Sequence, residues 1–111
     1  MKILFINGPN LNMLGTREKD VYGNLNLDEI NNLINEKADM IGAEADFFQS
    51  NVEGNLVTKI QESRDYDYIV INPAAFTHTS IAIRDALLSI NAKFIEVHLS
   101  NIYSREDFRQ N

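Results

Sequence analysis

Lys2-Ile3-Leu4-Phe5-Ile6-Asn7-Gly8-Pro9-Asn10 decides how the rest of the chain is read, because an apolar run of strand length breaks off abruptly into Asn, Gly and Pro. Such a run has the composition of a buried strand. Three others share its length and character, at residues 43–49, 68–72 and 93–98. Between them the apolar period changes. Leu27, Ile30, Leu33, Ile34, Ala38 and Ile41 recur at three and four, with Asn26 placed as N-cap and Glu29 as its capping-box partner. A shorter helix is expected from Val52, Leu56, Val57 and Ile60 after Asn51, which reads as a helix cap, and a third from Ile81, Ala82, Ala86, Leu87 and Ile90 after Thr79 and Ser80. The order is βαβαβαβ. Strands separated by helices are joined by right-handed crossovers, so an α/β architecture is expected, a parallel sheet with helices on both faces.

In a sheet of this kind ligands collect outside the carboxyl ends of the strands. Those ends read Asn7-Gly8-Pro9-Asn10, Gln49-Ser50-Asn51, Asn72-Pro73-Ala74-Ala75 and Glu96-Val97-His98-Leu99-Ser100-Asn101, so four strands deliver amides, hydroxyls and an imidazole to one edge. Helix capping accounts for Asn51 and Asn26 but explains less of Asn10, Asn72 and His98. Between the first strand and its helix lie about nineteen residues where two to six are usual. Loops of this length are commonly lids, and this one carries Asn10, Asn12, Arg17, Glu18 and Tyr22, with Gly8, Gly15 and Gly23 as hinge points. Taken alone, an Arg and a Tyr in a loop are more often a surface charge and a packing ring.

The 111 residues suit a single domain with one core. The sequence contains no cysteine, which excludes disulfides, thiolate catalysis and thiolate-held zinc or iron–sulfur groups. A formal charge of −6, with ten Lys and Arg scattered along the chain, provides no basic stripe and disfavours nucleic acid. The first eight residues lack a small-residue cleavage site, and no apolar run is long enough to span a bilayer, so a cytoplasmic address without membrane partners is expected.

Several stretches together resemble one family. Asn7-Gly8-Pro9-Asn10-Leu11-Asn12-Met13-Leu14-Gly15-Thr16-Arg17-Glu18 followed by Tyr22-Gly23 is similar to the opening signature of the type II 3-dehydroquinases. Phe48-Gln49-Ser50-Asn51-Val52-Glu53-Gly54, Ile71-Asn72-Pro73-Ala74-Ala75-Phe76-Thr77-His78-Thr79-Ser80 and Glu96-Val97-His98-Leu99-Ser100-Asn101 extend the similarity in order along the chain. The resemblance implies a flavodoxin-like three-layer α/β/α fold and dehydration of 3-dehydroquinate to 3-dehydroshikimate through an enolate, with no metal, cofactor or Schiff base. It assigns the base to Tyr22, with Arg17 beside it favouring the phenolate, a role the chemistry needs because a phenol of pKa about 10 is protonated at neutral pH. Asn10 then holds an ordered water at the enolate oxygen, and His98 acts as the general acid for the departing hydroxyl, with Glu96 able to orient its imidazole. A lone strand-end His reads otherwise as a structural hydrogen-bonder.

The same resemblance places substrate contacts at Asn72, His78, Arg109 and the backbone amides of Leu99 and Ser100. Asp85 matches a residue that reaches the site of a neighbouring subunit, in a homo-oligomer implied to be a dodecamer, a tetramer of trimers. Its plainer reading is an exposed helix acid paired with Arg84 or Lys93. The family also continues through a fifth strand and a closing helix, whereas this sequence stops at Asn111 in what reads as a loop, so residues 1–111 are expected to form a single domain truncated at the C-terminus. A non-catalytic flavodoxin-like binding domain is the alternative. A receiver domain would want clustered acids after the first strand, and a nucleotide binder a Gly-rich turn leading straight into a helix. Schiff-base chemistry would need a lysine at a strand's carboxyl end, which Lys2, Lys19, Lys37, Lys59 and Lys93 do not supply.

Overall fold

The computed structural model describes residues 1–14, 25–76, 80–90 and 93–98. Strand β1 (Lys2–Asn7) lies inside a four-stranded sheet with β2 (Glu44–Gln49) on one side and β3 (Tyr68–Asn72) on the other, and β4 (Lys93–Glu96) beyond β3. Every pairing is parallel. The chain steps outward from β1 to β2, then crosses back over β1 to β3 and on to β4, which makes the β1/β3 boundary the point where the winding reverses. By the right-handed rule for parallel crossovers this winding puts helix α1 (Leu27–Met40) on one face and helices α2 (Glu53–Gln61) and α3 (Ile81–Ser89) on the other, where the latter two share one buried cluster.

Alternation along the strands decides what each face holds. Leu4 and Ile6 of β1, with Ile69 and Ile71 of β3, meet Leu56 and Ile60 of α2 and Ile83, Ala86 and Leu87 of α3 in one buried cluster. Each such Leu or Ile contributes about 2 kcal/mol by leaving water. On the opposite face Phe5 stacks on its register partner Phe47, with centroids 5.4 Å apart.

The start of α1 has the capping geometry its sequence announces. Asn26 Oδ1 accepts from the Glu29 backbone N–H at 2.8 Å, and Glu29 Oε1 accepts from the Asn26 N–H at 3.1 Å. The helix stops at Gly42, whose φ of 72° lies in the left-handed region, and the Ala43 N–H returns to the Ala38 carbonyl at 2.8 Å. Ser80 caps α3 by accepting from the Ile83 N–H at 3.0 Å.

Two expectations are corrected. Asn51 does not cap α2: Val52 occupies the N-cap position without a side-chain bond, and Ser50 Oγ takes the Val52 N–H at 3.0 Å, which leaves the Asn51 carboxamide for another use. The fourth strand ends at Glu96 rather than His98, although the Val97 N–H adds one further bond to the Ile71 carbonyl at 2.8 Å. All four residues of β4 are exposed, as befits a strand paired on one side among the described residues.

The amino edge of the sheet is held by charged and aromatic side chains. The Lys2 backbone N–H donates to Asp67 Oδ2 at 2.8 Å, and the Asp67 N–H returns to the Lys2 carbonyl at 2.8 Å. Lys2 Nζ pairs with Asp65 at 3.2 Å and sits 4.6 Å from the centre of the Tyr66 ring. The Tyr66 hydroxyl donates to Asp46 on β2, and that bond, followed by burial, pushes its pKa up to about 12. No described helix is long and apolar enough to cross a membrane.

Candidate active site

Asn10, Asn72 and His98 follow or end three strands that are neighbours in the sheet, β1, β3 and β4. Asn72 closes β3 opposite Asn7 of β1, and the Gly8 N–H donates to the Asn72 carbonyl at 2.8 Å, so the two loops leave the sheet in contact. Gly8 is required here for a steric reason. A Cβ at this position would stand 2.5 Å from the Pro73 carbonyl oxygen, a backbone atom that cannot rotate away.

Asn10 has φ 68° and ψ −4°, the left-handed conformation that Asn tolerates better than most residues, and its carbonyl accepts from the Met13 N–H at 3.0 Å to open a 3-10 turn over Leu11–Met13. Ala74, two residues beyond Asn72, also has positive φ, at 52°, without a polar side chain to favour it. Two non-glycine residues in a sparsely populated conformation thus stand at one edge of the sheet, where strain of this kind commonly accompanies function.

Asn72 is 3% exposed. Its Oδ1 accepts from the Ala74 N–H at 3.2 Å, whereas its Nδ2 is buried and meets no acceptor among the described residues. An unmade donor in such a place costs about 1–3 kcal/mol, and a ligand oxygen arriving there would recover it. His98 stands beyond β4 with its Nε2 3.9 Å from Glu96 Oε2, both side chains partly exposed. The expected partnership is therefore long: at this separation Glu96 attracts a protonated imidazole by charge without fixing its orientation through a hydrogen bond.

Asp85 lies on the exposed side of α3. Among the described residues it forms no ion pair with Arg84 or Lys93, and Lys93 instead sits 5.7 Å from the centre of the Tyr68 ring. Arg17, Tyr22, His78, Leu99, Ser100 and Arg109 lie outside the described residues, as do Gly15, Glu18, Lys19 and Gly23. Of the remaining lysines, Lys2 and Lys93 open strands, and Lys37 and Lys59 sit in the last turns of α1 and α2, away from the carboxyl ends. No group of three His, Asp or Glu able to hold a metal ion is found among the described residues.

Gln49 and Asn51, which the sequence places at the end of the second strand without assigning either a part in the chemistry, join this edge. Gln49 Nε2 donates to the Gly8 carbonyl at 3.1 Å and to Asn51 Oδ1 at 3.2 Å, and the Asn10 N–H donates to the same Asn51 oxygen at 2.9 Å. The available signal was the register: Gln49 is opposite Asn7 and shares its face of the sheet. Beside this cluster a cavity of about 510 Å³ opens toward the start of α1, lined in part by Asn7, Asn12, Asn31, Phe47 and Gln49.

Comparison with known proteins identifies a family. The family model described as dehydroquinase class II matches residues 1–111. A 3-dehydroquinate dehydratase of Citrobacter koseri is 59% identical over 111 residues, which are 99% of this chain and 74% of that protein. The crystal structure of a type II dehydroquinase from Butyrivibrio crossotus superposes with a TM-score of 0.89 at 55% identity, covering 98% of this chain and 77% of that one. A second, from Propionibacterium acnes, gives 0.85 at 40% identity, covering 99% and 77%. With a family match over its full length and a parallel sheet common to its relatives, the chain belongs to the class II dehydroquinases.

Proposed function

We propose that this protein removes water from 3-dehydroquinate to form 3-dehydroshikimate, a step of the shikimate pathway toward chorismate and the aromatic amino acids. The observation that carries this reading is the family match across residues 1–111. The Asn10, Asn72 and His98 positions at three adjacent strand ends support it. Tyr22, as phenolate favoured by Arg17, takes the proton beside the ketone. The electrons left behind form an enolate, and a water held by Asn10 donates to its oxygen, a neutral stabilisation that needs no metal or cofactor. As the enolate collapses, the carbon–oxygen bond to the C1 hydroxyl breaks, and His98 supplies the proton that lets it depart as water. The pair of proton transfers leaves a conjugated enone.

The substrate's carboxylate and hydroxyls are held by Asn72, His78, Arg109 and the backbone amides of Leu99 and Ser100. The buried Nδ2 of Asn72, which meets no acceptor among the described residues, supports its place in this set. Asp85 contributes from a neighbouring subunit of a cytoplasmic homo-oligomer, a dodecamer arranged as a tetramer of trimers. In support, Asp85 lies on a helix face between Ile81 and Leu88, apolar side chains that are 76% and 66% exposed.

Appearance of the enone absorbance tests the reading on wild type and Tyr22→Phe. Wild-type turnover that falls by about 10³-fold or more in the variant is expected. An inactive wild type would favour the non-catalytic binding domain. Light scattering on the same sample should give twelve chains, and full activity in a monomer would remove Asp85 from the site.

A further inference from the structure

We propose that Gln49 and Asn51, at the end of β2, are positioning residues that hold Asn10 in its working conformation. The inference rests on the proposed reaction, in which Asn10 holds the water that faces the enolate.

Pro9 has no N–H, so the backbone groups on either side of it, the Gly8 carbonyl and the Asn10 N–H, must be satisfied by something other than a regular ladder. The end of β2 takes both. Gln49 Nε2 donates to the Gly8 carbonyl at 3.1 Å, and Asn51 Oδ1 accepts from the Asn10 N–H at 2.9 Å. The two side chains also brace each other, since Gln49 Nε2 lies 3.2 Å from Asn51 Oδ1. A third acceptor, Asn12 Oδ1, is 3.5 Å from the same nitrogen, and because that nitrogen carries two hydrogens this long contact is the weakest of the set. From the other side, the Gly8 N–H is fixed to the Asn72 carbonyl on β3 at 2.8 Å.

The turn carrying Asn10 is thus gripped from both neighbouring strands, by backbone on the β3 side and by side chains on the β2 side. The β2 grip is applied at a residue in the left-handed conformation, φ 68°, from which a non-glycine residue relaxes when its restraint is removed. Asn51 is exposed and does not cap the helix that follows it, so its carboxamide has no competing structural use there. Loss of the clamp therefore releases the Asn10 turn while leaving the buried core intact.

The test uses the full chain and four variants, Asn51→Ala, Asn51→Asp, Asn10→Ala and the Asn10→Ala/Asn51→Ala double, each checked for unchanged far-ultraviolet dichroism and thermal midpoint. Asn51→Ala should lower kcat by about 10- to 100-fold with KM changed by less than about threefold, as expected when a group that stabilises the transition state is misplaced. Asn51→Asp keeps the acceptor for the Asn10 N–H and should restore activity to within about threefold of wild type. The double variant should be no slower than Asn10→Ala, because the clamp acts only through Asn10. Overturning results are wild-type kcat in Asn51→Ala, failure of Asn51→Asp to rescue it, or multiplicative losses in the double variant. An inactive wild type would strike at the proposed reaction instead, and is thereby distinguished from failure of the clamp.

Discussion

The two edges of the sheet both carry polar residues and put them to opposite uses. At the amino edge, Lys2, Asp46, Asp65, Tyr66 and Asp67 each find a partner in another of the group. At the carboxyl edge, Asn72 is buried with a donor that meets no acceptor among the described residues, Ala74 stands in the left-handed region, and Asn10 keeps its conformation with help from a neighbouring strand. The first edge has spent its polar groups on itself. The second holds polar groups in reserve, and the strain and missing bonds there are what a substrate can relieve.

The contrast can be broken most forcefully at Gly8. In Gly8→Ala the new methyl must displace the Pro73 backbone, so loss of about 1–3 kcal/mol of stability is expected together with a fall of about 100-fold or more in kcat/KM, because the two loops that share the site are forced apart. Chemical denaturation and the enone assay read the two effects, and wild-type values in both would show that the loops do not depend on each other.

Asn72→Ala sharpens the comparison by separating the two quantities. The variant loses the bond to the Ala74 N–H but also removes a buried donor that is unsatisfied among the described residues, so its stability should remain within about 1 kcal/mol of wild type while kcat/KM falls by about 10- to 100-fold. A large loss of stability with unchanged kinetics would make Asn72 a turn residue alone.

The smallest effect belongs to the amino edge. The pKa of Tyr66 is raised to about 12 by its bond to Asp46 and by burial, against about 10 for a phenol in the unfolded chain. The phenol is protonated in both states below the unfolded value, so its contribution to stability is complete there. It is lost as pH rises from about 10 through about 12. Tyr66→Phe should cost about 1 kcal/mol at neutral pH, a modest figure because the group is only half-buried, and should flatten the alkaline fall in stability without altering turnover. Denaturation midpoints across pH 8 to about 11 check this. An alkaline limb as steep in the variant as in wild type would assign it to other groups.

Local signals in the sequence were the ones that survived contact with the structure. The capping box at Asn26 and Glu29 requires only residues within one turn, and both of its bonds form. The limits of β3 were equally plain, because an apolar run stops at Asn72-Pro73. Asn51 was misread for the complementary reason. An Asn before an apolar periodic stretch looks like a cap, but its partner is the Asn10 N–H, forty-one residues earlier in the chain, and no local pattern encodes that meeting. That Asn10 and Asn72 stand at or just beyond strand ends could be read from the alternation of strands and helices, whereas His98, read as ending its strand, lies two residues past that end. The left-handed Ala74 and the buried donor of Asn72, without an acceptor among the described residues, could not be read that way, since both follow from how two loops pack.

Gln49, Asn7 and Asn72 lie on one rung of the sheet, and that rung acts as a ruler for the length of the chain. Adding or deleting one residue within β1 would turn Leu4 and Ile6 out of the core and carry the Asn10 turn away from Asn51 in the same stroke. The strand cannot drift in length and keep either property. The turn at Gly42 is measured against no such rung: it is solvent-facing, nothing lies within 4 Å of where its side chain would be, and natural variation in length has room to collect there.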